Sequence, residues 1–357
     1  MNWRQLEPID RTHVVWNGRR LLFFGGCDYH RLSSHPQILK TIEESLHRDG
    51  VSTAASRTTT GDHPAYGALE TQLAKFARTE AAVLTPTGFS SNLILAQALE
   101  GNFSAVLMDR EAHASLRDAT RFLGVPVHYF NHRDAADLKT QRAILGNHPV
   151  AVLTDGMFWF DGSLAPLADY VDVMKSGDWL WVDDAHGFGT TGSRGRGTVE
   201  QAGLSTSDRI VSTCTLSKAI GCAGGAILGS TTMVQKVWNR SSMFKGSTPV
   251  PVPWARGSSV ALEILEFGTE DLSLKLHENA QRVRSATNSS RGQGSIITLE
   301  VPNRNLEQAR SVFLENGIYP AITSYEGRDS LRAVISSRHS PTELDRLAAC
   351  LREWVVR

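Results

Sequence analysis

The most constraining feature of the sequence is an alternation, between residues 81 and 229, of short apolar runs and segments with helical spacing. Apolar strands that are joined by helices are typical of a mostly parallel sheet with both faces covered. Ligands of such sheets bind beyond the carboxyl ends of the strands. The sequence therefore predicts an α/β fold with a site at that edge, and it predicts strands at residues 105–108, 125–130, 150–154, 179–182, 210–213 and 225–228.

The regions on either side of this alternation carry different signals. Asn17-Gly18, between two apolar runs, predicts a hairpin with a tight turn. Pro36 and Gly50 predict the start and the end of a helix. The Pro-rich stretch at residues 248–254 cannot form a helix interior or a central strand, and we interpret it as a hinge. The predicted organisation is an N-terminal arm (1–35), a large domain (36–246) and a small α+β domain (247–357).

The composition excludes several classes of function. Lys plus Arg and Asp plus Glu each number 37, which argues against a broad basic face for nucleic acid. The four cysteines form no C-x-x-C pair, so we expect reduced thiols. The N-terminal segment is polar, and no run approaches the ~18 apolar residues of a membrane span. We therefore expect a cytoplasmic protein with no metal, no membrane span and no nucleic-acid partner.

Two polar clusters follow predicted strands. Lys218 lies among Ser, Thr and small residues after the strand at 210–213. A desolvated lysine has a lowered pKa and can form a Schiff base. Asp183 ends the strand at 179–182, where a carboxylate can bind a pyridinium nitrogen. On residue types alone, Lys218 is also typical of a solvated lysine at a helix start.

Two further segments have the pattern of a cofactor site. The small-residue turn at 85–92 opens a helix, and its backbone N–H groups can cradle a phosphate. An ordinary capping turn has the same pattern. His113 follows the strand at 105–108 and can stack on an aromatic cofactor, although a histidine in this position more often caps a helix or lies at the surface.

Together these segments resemble the α-oxoamine synthases, which are pyridoxal-phosphate enzymes of the fold-type I superfamily. The resemblance runs from about Gly25 to the C-terminus. Its most specific elements are Asp183 with Ala185-His186 and the run that ends at Lys218. Other matching segments lie at residues 56–57, 61–63, 69–74, 87–92, 109–115, 161–167, 189–197, 224–225, 331–332 and 339.

The resemblance implies pyridoxal 5'-phosphate as the cofactor. Lys218 would form a Schiff base with it, and Asp183 would pair with the ring nitrogen. His113 matches the histidine that stacks on the ring, and His186 matches the one that bonds the phenolic oxygen. These four are the implied catalytic residues. The implied contacts to the phosphate are Gly88, Phe89 and Thr215, with Ser247 or Thr248 from the partner subunit of a homodimer that shares its active sites.

The resemblance also implies a substrate site and a reaction. Arg332 matches an arginine that grips the amino-acid carboxylate, and Thr323 matches a threonine that contacts the substrate. By itself Arg332 is typical of a surface arginine on a strand. The implied reaction condenses a small α-amino acid with an acyl thioester of coenzyme A or acyl carrier protein. It releases the thiol and carbon dioxide and leaves an α-aminoketone, of which 8-amino-7-oxononanoate is the best-known example.

The sequence departs from the family at several positions. Cys27 stands where the family has an asparagine close to the substrate carboxylate. Trp159 replaces a serine on the cofactor side, and Asp184 replaces a glutamate. We interpret Cys27 and Trp159 as a change of substrate and hypothesise that Trp159 and Phe160 form an aromatic wall in the pocket. The alternative is that Trp159 packs in the core.

Two other functions remain open at this level. The same cofactor frame supports transamination, aldol cleavage and lyase reactions, so the frame alone does not discriminate among them. A non-catalytic paralogue or partner subunit on the same fold is the other alternative. The joint presence of Lys218, Asp183, His113 and His186 argues against it.

Overall fold

The computed structural model describes residues 5–287, 292–300, 306–325 and 328–356. Its contacts divide the chain into two compact units. The first, here called the sheet unit, comprises Leu32–Phe158 and Leu164–Thr269. The second, here called the terminal unit, comprises Met1–Arg31, Trp159–Ser163 and Glu270–Arg357, apart from the residues outside the described ranges.

The secondary structure alternates along most of the chain. The strands are β1 Glu7–Pro8, β2 His13–Trp16, β3 Arg19–Phe23, β4 Ala81–Thr85, β5 Ala105–Asp109, β6 Val127–Phe130, β7 Val150–Asp155, β8 Trp179–Asp183, β9 Ile210–Thr215, β10 Gly225–Gly229, β11 Ile296–Glu300, β12 Ile318–Tyr319, β13 Ile322–Tyr325 and β14 Arg328–Val334. The α-helices are α1 Pro36–Asp49, α2 Pro64–Ala77, α3 Gly88–Leu99, α4 Ala114–Leu123, α5 Ala135–Ile144, α6 Leu167–Val173, α7 Thr198–Gln201, α8 Thr231–Arg240, α9 Ser242–Gly246, α10 Val252–Phe267, α11 Leu272–Thr287, α12 Leu306–Glu315 and α13 Pro341–Val356. Short 3₁₀ helices lie at Leu32–Ser34 and Ser193–Gly195.

The sheet unit is built on a seven-stranded sheet in the order β4-β10-β9-β8-β7-β5-β6. Strands β9, β8, β7, β5 and β6 run parallel, and β10 is antiparallel to both of its neighbours. All residues of β5, β7 and β9 are buried. Burial at every position requires cover on both faces, which explains why these strands are continuous apolar runs in the sequence. The predicted α/β fold with a mostly parallel sheet is confirmed.

The register of the sheet brings the strand ends together. Asp155 at the end of β7 is opposite Asp183 at the end of β8. Gly225 at the start of β10 is opposite Thr215 of β9 on one side and Thr85 of β4 on the other. The carboxyl ends of β4, β7, β8 and β9 therefore lie at one edge of the sheet.

The terminal unit joins segments that are far apart in sequence. Strands β2 and β3 form the predicted hairpin, and positive φ angles at Asn17 (48°) and Gly18 (72°) fit its tight turn. Strand β3 also pairs in parallel with β12. The second sheet of this unit has the order β11-β14-β13.

The units divide the chain at different positions from the predicted domains. The Pro-rich stretch that we interpreted as a hinge lies wholly within the sheet unit. There Val250 is buried, and the hydroxyl of Tyr66 donates to its carbonyl oxygen at 2.8 Å. Helix α10, which begins in this stretch, packs along α1 and α2. The change of unit falls later, between Thr269 and Glu270. Proline shapes the local chain here without separating two units.

Candidate active site

A cavity of about 330 Å³ opens at the carboxyl edge of the central sheet. Every cofactor residue predicted from the sequence lines it, with the exceptions of Ser247 and Thr248. It lies within the sheet unit, and its lining residues are Thr87, Gly88, Phe89, His113, Ser115, Asp155, Asp183, Ala185, His186, Thr215, Ser217 and Lys218.

Lys218 and His186 form the amine side of the cavity. Lys218 lies in the turn after β9, and His186 lies in the loop after β8. The Lys218 Nζ is 2.8 Å from the His186 Nε2. A lysine ammonium only donates, so His186 accepts at Nε2 and carries its own proton at Nδ1 when Lys218 is charged. The loop needs close packing here, because a Cβ at Gly189 would lie 2.4 Å from the Cβ of Ala219.

Asp183 is the buried acid of the cavity and is held by a network of donors. Its Oδ2 accepts from Asn92 Nδ2 at 2.7 Å and lies 3.1 Å from the Ser115 Oγ. Asn92 is fully buried, and its Oδ1 accepts from Trp181 Nε1 at 3.1 Å and from Thr213 Oγ1 at 2.7 Å. Side chains from α3 and α4 thereby contact the carboxylate directly, and side chains from β8 and β9 hold Asn92 in turn.

His113 both caps a helix and lines the cavity. It is the N-cap of α4, where its Nδ1 accepts from the backbone N–H of Ser115 at 3.2 Å. Burial, together with the charge of Lys218, lowers the pKa of His113, and the charge of Asp183 opposes this shift. The capping alternative left open by the sequence is therefore correct, and it is compatible with a site role.

Asp155 is a second buried acid in the cavity that the sequence analysis did not assign. Its Oδ1 accepts the backbone N–H of His113 at 3.0 Å. Burial, reinforced by the charge of Asp183, raises the pKa of Asp155 well above its ordinary value. The signal for it was present in the sequence, because Asp155 and Asp183 both end apolar runs that form neighbouring strands. Asn92 and Ser115 lie in segments that match the family, 87–92 and 109–115, but the sequence assigned neither of them a role.

The turn before α3 has the geometry of a phosphate cradle. Thr87 and Ser90 form a reciprocal capping box at the start of this helix. A Cβ at Gly88 would lie 2.6 Å from the Cβ of Thr215, so only glycine fits. The Thr215 Oγ1 is 2.8 Å from the Ser217 Oγ. A phosphate accepts hydrogen bonds from the free N–H groups in the first turn of a helix and from nearby hydroxyls.

The amine, the buried acid and the glycine cradle together fit pyridoxal 5'-phosphate. This cofactor carries a reactive aldehyde, a basic ring nitrogen and a phosphate. The cavity offers Lys218 for the first, Asp183 for the second and the N-terminus of α3 for the third.

Asp184, beside the acid of the site, fixes the loop that carries His186. Its carboxylate accepts from the backbone N–H of Thr198 at 2.9 Å and from the Thr198 Oγ1 at 2.7 Å. Side chains on the glycines around it would collide, because a Cβ at Gly187 would lie 2.1 Å from its Oδ1. Burial raises the pKa of Asp184 to about 7.

The predicted substrate residues lie in the terminal unit. Arg332 of β14 donates from Nε to the carbonyl oxygen of Trp159 at 2.9 Å, and its Nη2 is 3.9 Å from the Cys27 Sγ. Tyr29 is fully buried beside this group; burial and the neighbouring Cys27 raise its pKa well above the ordinary value, while Arg332 opposes the shift. The structure thus brings Arg332, Cys27 and Trp159 into one cluster.

Two other predicted site residues, Thr323 and Thr248, lie outside both the cavity and the hydrogen bonds around Arg332. Thr323 lies on β13 opposite Ser330 of β14, so it shares a face of the sheet with Arg332 as a diagonal neighbour. Thr248 lies at an exposed position between α9 and α10. Its contact with phosphate across a subunit interface stays a prediction.

Trp159 is half-buried, with its ring 6.3 Å from that of Phe160, so it is not a core residue.

The chain is similar over nearly its whole length to proteins of known families. A sequence model of the aminotransferase class I and II family matches residues 22–351. The 8-amino-7-oxononanoate synthase of Methylococcus capsulatus is 33% identical, with 99% of this chain and 94% of the relative covered. The enzyme of the same name from Marinobacter nauticus is also 33% identical, with 98% and 91% covered.

Solved structures show the same fold. A serine palmitoyltransferase from S. paucimobilis superimposes with a TM-score of 0.90 at 22% identity and covers 98% of this chain and 92% of its own. The 8-amino-7-oxononanoate synthase of Francisella tularensis gives a TM-score of 0.81 at 21% identity, with 94% and 98% covered. These similarities confirm the fold that the sequence resemblance implies.

Proposed function

The chain belongs to the aminotransferase class I and II family, and from this premise we propose that it is a pyridoxal-phosphate-dependent α-oxoamine synthase. It condenses a small α-amino acid with an acyl thioester of coenzyme A or acyl carrier protein. The products are an α-aminoketone, carbon dioxide and the free thiol. The observation that carries the proposal is the convergence of Lys218, His186, Asp183 and His113 on one cavity.

Pyridoxal phosphate, when bound, supplies an electron sink for a carbanion at the α-carbon of the amino acid. Asp183 supports this by placing a fixed negative charge in the cavity, where a charge-assisted hydrogen bond contributes about 1.5–3 kcal/mol. The donor from Asn92 and the adjacent hydroxyl of Ser115 hold the carboxylate in one orientation, so it does not reorganise during the reaction.

Lys218 supplies the amine and the base. Its Nζ lies against the Nε2 of His186, which gives its proton a nearby acceptor. As a free amine, Lys218 removes the α-proton of the substrate. His113 serves as the donor that polarises the carbonyl of the β-keto acid before carbon dioxide leaves. Burial keeps His113 neutral near pH 7, so its ring has one donor and one acceptor nitrogen.

Arg332 binds the substrate carboxylate. Its planar guanidinium presents donors in a fork that matches two carboxylate oxygens. Its bond to the carbonyl of Trp159 fixes the plane of that fork. Cys27 lies beside it where relatives of this family carry an asparagine, so the thiol and Trp159 set which amino acid or acyl chain is accepted. The named relatives support an acyl chain of the 8-amino-7-oxononanoate type as the first candidate.

The proposal includes a homodimer that shares its active sites and acts in the cytoplasm. Large apolar side chains at Leu39, Val51 and Phe89 are exposed on the single chain, which supports a partner surface. Among the described residues, none of the helices combines the length and the apolar character that a membrane span requires. Sedimentation of the purified protein with added cofactor tests the dimer.

Cofactor binding through Lys218 is the first test. The native protein with added pyridoxal phosphate should show a visible absorbance band that Lys218→Ala lacks. Lys236→Ala is the matched control, since Lys236 is a partly buried lysine of the same unit that donates to Asn102 Oδ1 at 2.7 Å. This variant should keep the band. A native protein that remains colourless at saturating cofactor would contradict the proposal.

A further inference from the structure

Ser115 occupies an unusual position at the meeting point of three polar side chains. It is the second residue of α4 and is 1% exposed. Its Oγ lies 2.7 Å from His113 Nδ1, 2.9 Å from Asn92 Nδ2 and 3.1 Å from Asp183 Oδ2. A hydroxyl has one hydrogen to donate, so it cannot donate to both His113 and Asp183 at once.

The orientation of Asn92 is fixed from the other side. The indole N–H of Trp181 can only donate, and it lies 3.1 Å from Asn92 Oδ1. Asn92 therefore turns its NH₂ group toward Ser115 and Asp183 and donates one hydrogen to each. Asp183 Oδ2 is thus satisfied by Asn92, and Ser115 receives a hydrogen from Asn92 and keeps its own hydrogen for a further acceptor.

The remaining acceptor is the ring of His113. The backbone N–H of Ser115 points at His113 Nδ1 from 3.2 Å, which requires a lone pair on that nitrogen. The hydroxyl of Ser115 is closer to this nitrogen than to Asp183. Two donors from one residue therefore converge on Nδ1, and the proton of the neutral ring lies on Nε2.

We propose that Ser115 is a positioning residue that sets the tautomer of His113, holding Nδ1 as an acceptor so that Nε2 is the donor of the ring. The inference rests on the proposed function for the use of that donor, since an Nε2–H can polarise a carbonyl and a bare nitrogen cannot. The same hydroxyl links the ring of His113 to the Asn92–Asp183 pair, so the orientations of the acid and of the histidine are set together.

The direct test is nitrogen NMR on protein with ¹⁵N-labelled histidine, with and without pyridoxal phosphate. The His113 signals are assigned by their loss in His113→Gln. We expect a single Nε2–H tautomer in the native protein. Ser115→Ala removes the hydroxyl at 2.7 Å and leaves only the longer backbone N–H at 3.2 Å on Nδ1, so the Nδ1–H tautomer should become detectable beside the Nε2–H form. Ser115→Thr, which keeps the hydroxyl, should restore the single tautomer. Ser45→Ala is the matched control, because Ser45 is a buried serine that donates to a carboxylate, Asp49, at 2.7 Å.

A second readout separates positioning from folding. With the amino acid and acyl thioester that the native protein turns over fastest in a substrate panel, Ser115→Ala should lower kcat by roughly tenfold and change KM less than about twofold. This loss is part of the 10²–10⁴ that a general acid contributes. Ser115→Cys keeps the volume and has a weak donor, so it replaces Ser115→Ala if that variant does not fold. An unchanged Nε2–H tautomer in a folded Ser115→Ala or Ser115→Cys overturns the inference. A native protein that shows the tautomer but forms no aminoketone leaves Ser115 in this role and refutes the proposed function instead.

Discussion

The sheet unit and the terminal unit differ in how far each follows the pattern of its relatives. In the sheet unit the polar groups of the cavity bond one another, as in the chain from Trp181 through Asn92 to Asp183. In the terminal unit, the cluster around Arg332 includes Cys27 and Trp159, the two positions at which the sequence departs from the residues that the resemblance implies. This contrast supports our proposal that the chain keeps the cofactor chemistry of its family and differs in the substrate that it accepts.

The two units also bury ionisable groups with opposite pH responses. In the sheet unit, burial raises the pKa of Asp184 to about 7. In the terminal unit, burial and the nearby Arg31 lower the pKa of His339 to about 3. His339 is held neutral between a donor, the N–H of Ser336 at 3.0 Å, and an acceptor, the carbonyl of Phe23 at 3.3 Å. Each unit therefore favours the uncharged form of its buried group.

We expect the largest effect from His339, whose protonation should lower the free energy of unfolding at acidic pH. The folded-state pKa of His339 lies below the ordinary 6.5, so its contribution is full above pH 6.5 and is lost as the pH falls toward 3. His339→Gln cannot be protonated. Relative to this variant, the native protein should lose up to about 4 kcal/mol of unfolding free energy across that range, measured by urea titration. If the difference in unfolding free energy between the native protein and His339→Gln does not vary with pH, burial of His339 does not lower its pKa.

Asp184 should change the free energy of unfolding in the opposite direction, with the loss at rising pH. Its folded-state pKa lies above the ordinary 3.8, so its contribution is full below pH 3.8 and is lost as the pH rises toward 7. Relative to Asp184→Asn, the native protein should lose up to about 4 kcal/mol over this range. The same urea titrations measure both variants. Slopes of the same sign for Asp184→Asn and His339→Gln would contradict the account.

Arg332 tests whether the terminal unit binds the substrate carboxylate. Arg332→Lys keeps the charge and loses the planar fork, so KM for the amino acid should rise about tenfold to a hundredfold, with a smaller change for the thioester. Steady-state kinetics with each substrate varied in turn measure this. Arg338→Lys is the matched control, since Arg338 belongs to the same unit and pairs with Glu270 at 3.1 Å. Equal effects of the two changes would remove Arg332 from the site.

Trp159→Ser should have the smallest effect on the overall rate and the clearest effect on which acyl thioester is preferred. If Trp159 and Phe160 wall the pocket, Trp159→Ser should shift the ratio of kcat/KM between short and long acyl thioesters by roughly tenfold. Cofactor absorbance should stay unchanged. The comparison is made across a panel of acyl thioesters with one amino acid. An unchanged profile in a folded Trp159→Ser would show that the aromatic wall does not select the substrate.

The sequence predicted the sheet unit better than the terminal unit for a physical reason. Strands that are buried on both faces leave continuous apolar runs, and the turns that follow them carry Asp183 and Lys218, so each of these signals is local. The terminal unit is assembled from three segments that are distant in sequence. No local sequence pattern predicts the contact between Trp159 and Arg332, because these residues are 173 positions apart.

The roles of the supporting residues Asn92 and Ser115 could not be predicted for the same reason. Asn92 and Asp183 are 91 residues apart, and Ser115 and Asp183 are 68 apart. A serine or an asparagine near a helix start is an ordinary capping residue in sequence terms. Their importance follows from the parallel register, which brings the ends of separate strands to one edge. Only the folded chain shows which hydroxyl and which amide meet the acid.

We propose that one reaction of this protein joins an amino acid to an acyl thioester and releases both carbon dioxide and a thiol. The most direct measurement mixes the protein, pyridoxal phosphate, a panel of small α-amino acids and acyl thioesters of coenzyme A and acyl carrier protein. Free thiol and carbon dioxide are then followed in the same vessel. We expect one molecule of each for every molecule of aminoketone, and no release with Lys218→Ala. Transfer of the amino group to a keto acid, without release of thiol or carbon dioxide, would contradict this proposal.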